Sequence, residues 1–139
     1  MNVEVFSLCD AATADAAGKL NVLGAFDRIW MANAPGIYPQ CAVAMRIRFD
    51  SIEKGTHKIS VAVVDEDGQH VIPSLDAGLE VKFANGQQTV SSNLVLNIQG
   101  LQIKKFGTYS IDLGIDGRQE ATLPLYIRQI VGNQFKAAA

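Results

Sequence analysis

The sequence predicts an all-β domain built as an antiparallel two-layer sandwich of about eight strands. Three observations carry that expectation. Apolar residues recur at every second position, most clearly in Cys41, Val43, Met45, Ile47 and Phe49, which alternate with Ala42, Ala44, Arg46 and Arg48. No stretch carries a 3.6-residue apolar stripe of the kind that marks an amphipathic helix. Gly, Pro, Asn and Asp punctuate the chain at intervals of roughly 8 to 15 residues, and alternating βα units are absent.

Taken in order, residues 3–8 form the first apolar cluster. Residues 11–17 are small-sided and closed by Gly18, so at most one helical turn is expected before the second strand. In residues 19–31 both faces are largely apolar. Leu20, Val22, Gly24, Phe26 and Trp30 share one, and Leu23, Ala25, Ile29 and Met31 the other. Either that strand is covered on both sides, or Gly24 marks a bulge that bends it between sheets. Asn33, Ala34, Pro35 and Gly36 break the chain, and residues 41–49 then form a strand with one buried face and an outward face holding Ala42, Ala44, Arg46 and Arg48. The period of two returns in Ile59, Val61 and Val63, in Leu79, Val81 and Phe83, and in Leu94, Leu96 and Ile98. It returns twice more, in Tyr109, Ile111, Leu113 and Ile115 and in Ala121, Leu123, Leu125 and Ile127.

Turn residues constrain the pairing. A four-residue loop Asp65-Glu66-Asp67-Gly68 sets Val64 opposite Gln69, Ala62 opposite Val71 and Val61 opposite Ile72. A two-residue Asp116-Gly117 turn would set Leu113 against Glu120 and expose half of the apolar set. A three-residue loop of Ile115, Asp116 and a left-handed Gly117 is therefore expected, with Leu113 against Gln119, Ile111 against Ala121 and Tyr109 against Leu123.

The stretch Lys105-Phe106-Gly107-Thr108-Tyr109 ahead of a long alternating strand resembles the tyrosine corner of immunoglobulin-like domains. No Cys stands two residues after Tyr109, so an antibody-type disulfide is not implied. Leu8-Cys9-Asp10-Ala11-Ala12, the run of residues 18–27, the Arg46-Ile47-Arg48-Phe49 strand and the Asp67-Gly68 turn also resemble a bacterial family of small uncharacterised sandwich proteins. The resemblance implies an immunoglobulin-like fold and a bacterial source, and no activity or site residues.

With 139 residues, 48% hydrophobic and 19% charged, the chain is expected to form one domain over residues 1–139. Twelve basic residues against fourteen acidic ones give no field to hold a polyanion, so nucleic acid is not an expected partner. The first apolar cluster is too short to span a bilayer and no basic region precedes it, which predicts a cytoplasmic protein without a membrane partner. Two cysteines, Cys9 and Cys41, then read as reduced core thiols.

Candidate sites are few. Asp65, Glu66, Asp67 and Asp76 are loop carboxylates that calcium could use, as in C2-like membrane modules, but acidic residues before a glycine are also ordinary turn chemistry. His57 and His70 should lie apart, since His70 faces Val63 while the position opposite His57 falls near Asp76; with no Cys or His pair nearby, no metal or other cofactor is expected. Catalysis lacks a nucleophile elbow, and no catalytic residue is assigned; a small hydrolase with a loop-end site is the alternative. Arg46 and Arg48 lie on the outward face of the best strand, suited either to clamping an anion together with Arg28 or to ion pairs with Asp27, Asp50 or Glu53. Trp30, Met31, Pro35, Ile37, Tyr38 and Pro39 read as an apolar loop that closes the sandwich or meets another molecule. The expected function is thus a non-enzymatic binding or assembly module, working through a sheet edge or the 30–39 segment, with Trp30, Ile37, Tyr38, Arg46 and Arg48 as the partner-binding residues and a protein or a second copy as partner.

Overall fold

The computed structural model describes residues 1–131. Nine strands are present among them: β1 (Asn2–Ala14), β2 (Leu20–Ala25), β3 (Arg28–Met31), β4 (Gly36–Asp50), β5 (Gly55–Val64), β6 (Leu75–Val81), β7 (Thr89–Ile103), β8 (Gly107–Ile115) and β9 (Arg118–Gln129). A single 3-10 turn, Ser51–Glu53, joins β4 to β5. One sheet has the order β2-β1-β4-β7 and the other β3-β9-β8-β5-β6.

The alternation in β4 builds the inner layer. Cys41, Val43, Met45, Ile47 and Phe49 have no measurable exposure, and they meet Ile59, Val61 and Val63 of β5, Tyr109, Ile111 and Leu113 of β8 and Leu125 and Ile127 of β9. Each large side chain so buried contributes about 1.5–3 kcal/mol relative to leaving it in water.

Several expectations need correction. Residues 11–14 continue β1 as a strand, with Gly18 in the turn that follows, so no helical turn forms there. The 19–31 segment is two strands. Cys9 pairs with Ala25 and Ala11 with Leu23 in one unbroken frame, so Gly24 shifts no register; the chain instead changes sheet after Ala25. There β3 joins β9 in a parallel pair, Ile29 beside Ile127, so not every neighbour is antiparallel. The 30–39 segment is also mostly strand: Trp30 and Met31 end β3, while Ile37 and Tyr38 lie in β4 opposite Gln102 and Leu101.

Both hairpins differ in detail from their expected registers. Val64 bridges to His70 rather than Gln69, and the Asp65 amide donates to the Gln69 carbonyl at 2.9 Å. The chain then leaves the ladder and returns with Leu75 opposite Val61 and Leu79 opposite His57. At the last hairpin Asp116 (φ 52) and Gly117 (φ 84) form a two-residue turn with both φ positive, pairing Ile115 with Arg118. A bulge between Leu113 and Gly114 then skips Glu120, so Leu113 meets Ala121 and Ile111 meets Leu123. The exposure that argued against the short turn is removed by one extra residue placed beyond it.

The resemblance to a tyrosine corner is matched by a bond. Tyr109, 4% exposed, donates its hydroxyl to the Lys105 carbonyl at 2.6 Å. Two residues earlier Gly107 sits at φ 153, where an added Cβ would come within 2.8 Å of the Glu66 carboxylate that accepts the Thr108 amide.

Candidate interaction surfaces

An edge strand shows a row of unpaired amides and carbonyls, and proteins protect such rows with short length, charge, proline or a covering element. Three of the four edges here are so treated. Strand β2 has six residues, and β3 has four and begins with Arg28. Strand β6 has seven, including Asp76, Gly78 and Glu80. Strand β7 is different. It runs for 15 residues, pairs with β4 from Thr89 to Ile103, and contains neither a charged residue nor a proline. Among the described residues no strand pairs with its other side. Its Leu94, Leu96 and Ile98 face the core, Val95 packs on the opposite face, and Asn97, Gln99 and Gln102 are exposed.

The alternation of Leu94, Leu96 and Ile98 is legible in the sequence but the importance of this strand is not, because edge position is a property of the topology. The signal was nonetheless present as a long stretch without charge.

The structure does not bring Trp30, Ile37 and Tyr38 into one patch. Tyr38 turns inward, its ring 5.8 Å from that of Phe26, and burial pushes its phenol pKa up. Ile37, the next residue along β4, is 62% exposed, beside Gln102 of β7. Trp30 lies on the far sheet, where the Arg28 guanidinium stands 6.0 Å from its ring and 5.2 Å from that of Tyr126. Arg128, 5.3 Å from the same Tyr126 ring, donates to the Gly107 carbonyl at 3.0 Å. Tyr126 and Arg128 were not singled out from the sequence, since their neighbourhood depends on the parallel β3–β9 pair.

Arg46 and Arg48 close on one carboxylate. Arg46 Nε reaches Glu4 Oε1 at 3.0 Å and Arg48 Nε reaches Glu4 Oε2 at 2.9 Å. The cross-strand ion pairing is present, but its acid is Glu4 on β1, and Arg28 belongs to the other sheet. Bonds from Arg48 hold the Glu4 carboxyl below its usual range. Arg46 also donates to Asn93 at 3.1 Å and Arg48 to Thr89 at 3.2 Å, which braces β7 against β4.

At one end of the two sheets His57 meets Asp116 at 2.6 Å through Nδ1 and the Glu53 carbonyl at 2.5 Å through Nε2. Both partners are acceptors, an arrangement that favours the doubly protonated ring. The Glu53 carbonyl first, and Asp116 second, raise the imidazole pKa above its ordinary value. A cleft of about 150 Å³ holds these groups with Arg118 and Glu120. It places His beside carboxylates, as a hydrolase would require, with both ring nitrogens engaged by acceptors. His70 lies elsewhere, against Val64.

The loop carboxylates diverge. Asp65 Oδ1 accepts the amides of Asp67 and Gln69 at 2.9 and 3.0 Å, Glu66 accepts from Thr108, and Asp67 binds Lys105 at 2.8 Å. Asp76 accepts from Ser60 and Ser74 on a different strand pair. Among the described residues no three His, Cys, Asp or Glu side chains are grouped to hold a metal ion. No helix among them is long and apolar enough to cross a membrane.

This geometry defines an all-β fold of two sheets, of four and five strands, in which β7 is a long edge strand that no other described strand pairs with on its outer side. The chain belongs to the family of unknown function DUF6941, which matches residues 4–128. No curated protein matches its sequence. Among solved structures it is similar to a β-glucosidase from Listeria innocua in complex with isofagomine, at TM-score 0.52 and 10% identity. That match covers 94% of this chain and 17% of the other, so it bears on the fold alone.

Proposed function

We propose that this chain is a non-enzymatic, cytoplasmic binding and assembly module with an immunoglobulin-like sandwich, and that it docks an extended segment of another chain along the free side of β7. The observation that carries the reading is β7 itself: 15 residues without charge or proline on an edge, where the other three edges are short. Glu4, Arg46 and Arg48 brace that strand from behind, and exposed Ile37 extends the surface one strand inward. Two unpaired thiols, Cys9 and Cys41, fit a reducing compartment. The strand order, the parallel β3–β9 pair and the Tyr109 corner support the immunoglobulin-like description.

A displayed library of random peptides tests the docking. Peptides selected on the wild-type chain should protect β7 amides from hydrogen exchange and lose binding to the Asn97→Lys/Gln99→Lys variant, whose lysines sit at exposed positions. Selected peptides that bind both proteins equally, or that protect a different edge, would overturn the reading.

A further inference from the structure

We infer that the segment docked on β7 is β7 of a second copy, paired antiparallel about a two-fold axis so that two four-stranded sheets become one continuous sheet. The inference rests on the reading of β7 as the docking edge and goes beyond it by fixing the partner.

Self-pairing is the arrangement in which the composition of both strands is known. A charged partner strand would set each of its charges against β7 without a countercharge, whereas two copies of β7 place no charge against another. The side-chain pattern is also self-complementary. Any register centred on a residue keeps matching faces together, and the one centred on Leu96 serves the core side best. It sets Leu96 opposite its own copy, Leu94 opposite Ile98 and Asn93 opposite Gln99, and it brings the two copies of Asn97 into diagonal reach. Leu94, Leu96 and Ile98 then meet only one another on the core side, while on the outer side amide meets amide at Asn93 and Gln99 and Val95 lies against Asn97. A protein with a net charge of -2 repels its own copy weakly at most, and the contacting strand adds nothing to that repulsion. An interface of this kind is isologous and closes at two copies, consuming both β7 edges and leaving the joined sheet to end on the six-residue β2 at either side.

Sedimentation equilibrium of the full chain over a concentration range of about a thousandfold tests it. The weight-average mass should climb from 15.0 kDa toward twice that value. The Asn97→Lys/Gln99→Lys variant should remain at the monomer mass with its melting temperature unchanged. Mixing it with Asn97→Glu/Gln99→Glu should restore the double mass as a heterodimer, a result that loss of folding cannot produce. Amides of β7 in the wild-type chain should gain exchange protection as concentration rises. A wild-type chain that stays monomeric throughout, a lysine variant that still dimerises, or growth past two copies would overturn the inference. If the chain is monomeric while selected peptides still protect β7, self-pairing fails and the docking edge stands.

Discussion

The two faces of β4 are both shut off from water, by different means. On the inner face Val43, Met45, Ile47 and Phe49 interlock with the opposite sheet, and bulk does the work. On the outer face Ala42 and Ala44 are equally inaccessible, together with Cys9, but they are small and are roofed by Ala12, Leu20 and Val95. The tip of the β1–β2 hairpin reaches across this face, where the Gly18 carbonyl accepts from Arg46 at 3.4 Å and from Asn93 at 3.0 Å. Alanines let a hairpin lie close; large residues would hold it off. Burial in this strand is therefore achieved once by filling space and once by leaving little space to fill.

Phe49→Ala should produce the largest loss. Phe49 is fully buried, and the His57 ring stacks on it with centroids 4.8 Å apart. Removing the phenyl group leaves a cavity, at a cost of about 3–5 kcal/mol. Urea unfolding followed by tryptophan fluorescence measures it, and a cost below about 1 kcal/mol would mean that the inner face is not packed as described.

The outer face breaks in the opposite way. Ala44→Leu adds volume where the hairpin already touches, so it should destabilise by about 1–3 kcal/mol instead of being neutral as at an exposed strand position. It should also speed labelling of Cys9 by a thiol reagent, because a lifted hairpin uncovers that thiol. Cys41, whose pKa burial pushes up to about 11, should stay unreactive until the protein unfolds globally. Equal labelling rates for the two cysteines would show that the hairpin is not an independent cover.

These contrasts explain what could be read from the sequence. Large apolar residues at every second position have one reading, and the inner face of β4 was legible from Cys41 to Phe49. Ala42 and Ala44 have two, since a small residue suits an exposed position and a tightly covered one alike. The Asp116-Gly117 turn was legible as a hairpin, but its register depended on a bulge at Glu120 that leaves no local mark. The candidate edge was hidden for another reason: β7 and β4 look alike in period, and only the sheet order puts β7 outside. The Glu4 clamp joins residues more than forty positions apart, and nothing in Arg46 or Arg48 specifies which of fourteen acids will meet them.

The smallest effect expected is a pH dependence of opposite sign at the polar margins of the two faces. On the outer face the folded pKa of Glu4 lies below its unfolded value, chiefly through the bonds from Arg48, so its contribution is full above the ordinary carboxylate range and is lost as pH falls through the folded value. At the end of the inner face the folded pKa of His57 is raised by the Glu53 carbonyl and Asp116. Its contribution is full below the ordinary imidazole value of about 6.5 and is lost as pH rises through the higher folded value. Glu4→Gln should therefore flatten part of the acid limb of a stability profile and leave the limb above about pH 6.5 intact, while His57→Gln should do the reverse. Other carboxylates with lowered pKa, Asp65 and Asp76 among them, keep some acid slope in both variants. Asp116 is lowered first by its bond to His57, so His57→Gln also removes a share of the slope below about pH 4. Urea midpoints at a series of pH values separate the two variants, and profiles that shift in parallel without a change of shape would show that neither bond is present in the folded protein.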